Sequence, residues 1–243
     1  MATPGEIPSQ AATAEQPKPM PFAIMRSAHE ALRTSIRLQG ERLDAKDIAG
    51  FRDEWRTFQR AQAVHMAMED NAMFDLLNQV GGGAISSAEL PAEHAVDSKL
   101  AADVGVALAR GDPGALGAAW SAWKEDHLHH LVHEEEVMIP LTLKTAATPE
   151  ARARVVHERL LVPGELLPDF DWYVGWVVRM LSQHGAAGQP ANVATRVFAW
   201  GLQHACSPGQ WHRLRPIVEK NCTPEIWVEL CTKFGLDGEG RIS

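Results

Sequence analysis

Apolar positions recur every three or four residues along most of the chain, the spacing of one face of an α-helix. Phe22, Met25, His29, Leu32 and Ile36 step in this way, and Gly40 closes the first expected helix. The second is longer. Phe51, Trp55, Phe58, Ala61, His65, Glu69, Ala72, Leu76 and Val80 keep one face until Gly81-Gly82-Gly83 stops it. A third helix runs from near Pro91 to Arg110, with His94, Ala101, Val104 and Leu108 on one side and the turn Gly111-Asp112-Pro113-Gly114 behind it. The fourth carries Leu116, Trp120, Trp123, His127, His130, Glu134, Val137 and Leu141. No stretch alternates with the period of two that a sheet requires. The expected class is all-α. Four amphipathic helices with short connections pack most simply as an up-down antiparallel four-helix bundle.

After Lys144 the pattern loosens. Thr148-Pro149-Glu150 has the form of an N-cap, a first-turn proline and an acidic first turn. Short helices are expected over 149–160, 168–183, 191–205, 208–220 and 224–234. Trp172, Trp176, Phe198, Trp200, Trp211 and Trp227 need a surface to pack against, so this part reads as a helical extension docked on the bundle. The expected organisation is a disordered segment at 1–20, a bundle with a dinuclear metal site at 21–147, and the extension at 148–243.

Composition narrows the classes. The 243 residues carry 23 Lys+Arg against 31 Asp+Glu, a formal charge of −8, which argues against a broad nucleic-acid surface. The N-terminal stretch lacks a basic region followed by an apolar core, and no run of eighteen apolar residues suggests a membrane span. Cys206, Cys222 and Cys231 form no C-x-x-C pair, so zinc-knuckle and thioredoxin-type chemistry is not indicated. These features together suggest a reduced, cytoplasmic setting.

The candidate chemistry lies in the bundle. Residues 127–136 hold four histidines and three glutamates, yet His130 and Glu134 fall on the apolar stripe. The same arrangement occurs earlier. His65 is followed four residues on by Glu69 and five on by Asp70; His130 is followed by Glu134 and Glu135. His29 precedes His65 by 36 residues, and His94 precedes His130 by 36. The halves therefore look like a duplicated helix pair. Residues four apart share a helix face, so four imidazoles and two carboxylates are expected inside the bundle. Unpaired, each buried charge would cost several kcal/mol, of the order that ion burial usually costs. Two cations bridged by the two carboxylates would remove the conflict. The nitrogen and oxygen donors suit iron, with manganese or zinc less favoured. A lone histidine on an apolar face is more often a hydrogen-bonded core residue; the repetition is what carries the metal reading.

His29, His65-x-x-x-Glu69, His94 and His130-x-x-x-Glu134, with the Glu134-Glu135 acid pair ahead of Pro140, resemble a hemerythrin-like, or HHE cation-binding, domain over roughly residues 21–145. The resemblance implies a non-haem di-iron centre bridged by two carboxylates and an oxo or hydroxo group. Oxygen-carrying members place a second histidine four residues after the third-helix ligand, where this chain has Ser98. The four-His, two-Glu set is closer to the bacterial regulators and iron–sulfur repair proteins of the superfamily. His127, whose counterpart in the first half is Gln62, stands beside the set with Ser98 and Glu135 as a further ligand or a partner of ligands. Trp172-Tyr173-x-x-Trp176 reads first as helix packing and second as a pocket wall or redox path.

The leading functional expectation is a protein that binds or reduces a small oxidant, O2, NO or H2O2, in oxidative or nitrosative stress. It would draw on an electron donor and contact neither nucleic acid nor membrane. A sensor without turnover, an oxygenase acting on an organic substrate and a metal-free scaffold are the rivals. The oxygenase predicts a sizeable apolar cavity reaching the metals from beyond position 166.

Overall fold

The computed structural model describes residues 23–242; the segment expected to be disordered and Phe22 lie outside them. The bundle is built from α1 (Ala23–Asp44), α2 (Ile48–Met68), α3 (Phe74–Gly81), the one-turn α4 (Ala84–Ser87), α5 (Leu90–Arg110) and α6 (Pro113–Thr145). The class is all-α, with only an isolated bridge between Ala186 and Gln189 among the described residues.

Local chemistry sets the boundaries. Asp47 and Asp112 cap α2 and α6 by accepting backbone N–H groups, and Pro113 opens α6, where no N–H is needed. Gly82 and Gly111 close α3 and α5 in the left-handed conformation that glycine adopts without penalty. Gly40 does not end α1, which continues to Asp44. A Cβ at Gly40 would stand 3.0 Å from Cη2 of Trp120, and the neighbouring Gln39 accepts the indole N–H of Trp120 at 2.8 Å. This glycine lets a tryptophan lie against a helix backbone.

The second expected helix is not one continuous α-helix. Between α2 and α3, Glu69–Met73 forms a π turn, closed by the bond from the Phe74 N–H to the Glu69 carbonyl. Such a turn accommodates one extra residue and rotates everything after it. The apolar face accordingly moves: Phe74 and Leu77 are buried, whereas Val80 is 40% exposed.

The extension consists of α7 (Pro149–Val156), a second π turn (His157–Leu161), α8 (Val162–Gly164), α9 (Phe170–His184), α10 (Ala191–Ala205), α11 (Pro208–Asn221) and α12 (Pro224–Phe234). Thr148 caps α7, accepting the Ala151 N–H as its sequence position suggested. Helices α9 and α10 pack on α1, α9 also reaches α2, and the two π turns touch each other. Phe170, Val174, Trp176, Val177 and Leu181 of α9 join one continuous core with the bundle. The three cysteines are free thiols. No helix among the described residues is long and apolar enough to cross a membrane.

Candidate metal centre

The six expected ligands come from five helical stretches: His29 from α1, His65 from α2, Glu69 from the π turn, His94 from α5, and His130 with Glu134 from α6. All six side chains meet in the interior, with Glu69 only 2% exposed and Glu134 fully buried. Trp55, Phe58 and Trp123 close the bundle on one side, the Trp55 and Trp123 rings standing edge to face at 4.7 Å.

The two carboxylates lie between the histidines. Glu69 Oε1 is 3.4 Å from Nε2 of His65 and 3.9 Å from Nε2 of His29, while its Oε2 is 3.8 Å from Nε2 of His94. Glu134 Oε2 is 3.5 Å from His29 and 3.6 Å from His130, and its Oε1 is 3.9 Å from His94. Donors about 2.1 Å from a shared ion stand at most roughly 4.2 Å apart, so these separations suit common coordination. His29, His65, Glu69 and Glu134 form one such group, and His94, His130 and Glu134 a second.

The outer ring nitrogens decide what the inner ones can do. The Nδ1–H of His29 donates to Glu135 at 3.0 Å, that of His94 to Asp70 at 2.9 Å, and that of His130 to Glu93 at 2.8 Å. An ionised carboxylate only accepts, so each of these imidazoles turns an Nε2 lone pair inward. There it faces carboxylate oxygens, which are acceptors too. Nε2 of His29, His65 and His94 and all four oxygens of Glu69 and Glu134 are buried without a hydrogen-bond partner. Acceptors facing acceptors in a dry interior need a cation or protons between them.

Protonation follows the same logic. Burial pushes the Glu134 carboxyl up to about 8 and holds Glu69 well above the usual carboxylate range, the charge of Glu134 adding to the effect on Glu69. Burial lowers His130 to about 4 and holds His29 and His65 below the usual imidazole range. Without a cation, the carboxyls compensate by taking up protons.

Three further residues stand beside the six, and Nε2 of His127 is likewise buried without a hydrogen-bond partner. The Nδ1–H of His127 donates to Asp97 at 2.8 Å, in a buried pair that also includes Gln62; the ring stacks on Trp123 at 5.1 Å. His127 is outside both groups of converging donors. Ser98 donates to the backbone carbonyl of His94, and Glu135 receives His29 together with Arg33. Glu93 and Asp97 escaped the sequence reading as parts of the site, and Tyr173 entered it only through the second reading of its motif, as a pocket wall or redox path, without its contact to His65. Glu93, one residue before His94, also receives His133 at 2.8 Å. The duplicated spacing pointed to Asp70 through its counterpart Glu135, but no comparable pattern marks Glu93 or Asp97.

A cavity of about 40 Å³ adjoins the centre, with Ala28, His65, Glu69, Phe170, Tyr173 and Phe198 in its wall. Tyr173 therefore lines a pocket as well as packing α9, and its hydroxyl is 3.4 Å from Nδ1 of His65. Ile24 and Val156 line both this cavity and an open groove on the surface, so one layer of side chains separates the two.

No curated protein and no solved structure matches the chain. A family model does: the hemerythrin HHE cation binding domain, over residues 20–158. That span takes in the whole bundle, α7 and the start of the second π turn, and it includes all six converging side chains. With more than half of its length matched and buried imidazoles and carboxylates gathered as a cation requires, the chain belongs to the hemerythrin HHE cation-binding domain family.

Proposed function

We propose that the centre holds two iron ions and binds a small oxidant of the size of O2, NO or H2O2. His29 and His65 would serve one ion and His94 and His130 the other, with Glu69 and Glu134 spanning both. The facing, unpartnered acceptors support two cations: Glu69 directs Oε1 toward His29 and His65 and Oε2 toward His94, while Glu134 sets Oε2 between His29 and His130 and Oε1 near His94, so both carboxylates reach both histidine pairs. The ions would supply the redox change. The protein's part is to hold each Nε2 lone pair inward, keep out bulk water and admit the ligand.

The observation that carries the choice of ligand is the cavity beside His65 and Glu69. Its volume of about 40 Å³ has room for about three molecules of water size, each needing roughly 10–15 Å³. Sites for organic ligands commonly enclose about 300–1,000 Å³. The extension does bring an apolar cavity to the centre, as the oxygenase reading required, but not on that reading's scale. Rapid mixing of the iron-loaded protein with H2O2 or NO should give a saturable spectral change. A centre indifferent to both, and to O2, would refute the proposal.

A further inference from the structure

The two halves of the centre differ at one supporting position. Corresponding residues are sixty-five apart, as His29 is from His94 and Glu69 from Glu134. By this register Glu93, which receives the Nδ1–H of His130, corresponds to Ala28. Ala28 has no group to offer His65, and its methyl leaves room for the cavity it lines. The partner of His65 comes from outside the bundle: Tyr173, the only tyrosine in the chain.

We propose that Tyr173 is the hydrogen-bond donor to a small ligand in the cavity, aimed there by His65 when a cation occupies Nε2. The proposal rests on the metal reading above. A neutral imidazole carries one proton, and a cation on Nε2 leaves that proton on Nδ1. The Nδ1–H then donates to the Tyr173 oxygen, and the phenol proton must turn away from His65. Tyr173 is buried, and its hydroxyl has no second partner among the described residues. The cavity is the space left to it. A phenol keeps its proton near neutral pH, where its ordinary pKa is about 10, so Tyr173 has a proton to donate. The carboxylates beside the other three histidines can only accept. At this single position a tyrosine converts the imidazole's support into a donor for the ligand, favouring molecules with an exposed lone pair, such as a peroxide or the azide ion.

The full-length, iron-loaded protein and its Tyr173→Phe variant test this with azide as probe. Phenylalanine keeps the ring and removes the donor. The variant should retain the iron content of the wild type and bind azide about tenfold more weakly, or worse, as expected for a lost hydrogen bond to an anion. In wild-type protein carrying ring-labelled tyrosine, azide should shift the infrared C–O band of this one phenol, a response that packing alone would not produce. Unchanged azide affinity at full iron content, or a phenol band that ignores bound azide, overturns the proposal and leaves the metal reading intact. A wild-type chain that takes up no iron overturns both.

Discussion

Asp70 receives the Nδ1–H of His94 at 2.9 Å, joining the π turn to α5 across the centre. Glu135 does the same for His29 at 3.0 Å, so each acid that follows a central glutamate orients a histidine of the other half. Outer partners of this kind fix the tautomer and strengthen the ligand. Asp70→Ala is the cleaner test, because the Asp70 side chain is 48% exposed and its removal buries nothing. Iron affinity, measured by competition with a chelator, should fall about 10- to 100-fold with little change in fold stability. Equal affinity in variant and wild type would mean that His94 does not depend on Asp70.

Metal-free protein should lose stability in mildly alkaline solution. The Glu134 carboxyl titrates near 8 in the fold against 4.5 unperturbed, so the folded chain holds a proton that the unfolded chain has released. That contribution is complete below the unfolded value and is lost as pH rises through about 8. His130, lowered by burial from 6.5 to about 4, contributes in the opposite sense and weakens the fold as pH falls through that range. The Tm of the metal-free chain should therefore drop between about pH 6.5 and 8.5. Iron-loaded protein should not show the drop, because the cation replaces the protons. A metal-free Tm that rises over this window would contradict the account.

His127 should prove structural. Asp97 is 1% exposed and depends on the His127 N–H and the Gln62 amide. His127→Leu takes one hydrogen-bond donor from buried Asp97, with an expected loss of about 1–3 kcal/mol in urea unfolding. Iron content at saturation should stay at the wild-type level. Loss of one ion without loss of stability would instead make His127 a ligand.

Filling the cavity should separate metal binding from ligand binding. Ala28 lines the space next to His65. Ala28→Leu should leave iron content unchanged and abolish azide binding, at a cost of no more than about 1–3 kcal/mol in unfolding free energy, the usual range for a small-to-large change. Azide binding as tight as in the wild type would place the ligand elsewhere.

The bundle and its six inward groups were legible because they are written twice, at helical spacing and with matching separations. The extension's helices were equally readable, since proline, threonine and glycine mark their ends. What escaped depends on packing between distant segments. Tyr173 meets His65 across 108 residues of sequence, and Asp97 meets His127 across 30. The π turn was hidden for another reason. Met73 and Phe74 are both apolar, so the stripe appeared to continue although the backbone had gained a residue. Gly40 looked like a helix stop because its close contact with Trp120 has no local signature.

The most direct test of the central claim is the iron content per chain of reconstituted wild-type protein beside its Glu69→Ala and Glu134→Ala variants, by elemental analysis. The account predicts about two ions in the wild type, as in other carboxylate-bridged helical bundles, and loss of the paired centre in either variant. A folded wild-type chain that takes up no iron, or variants that keep the full content, would contradict it.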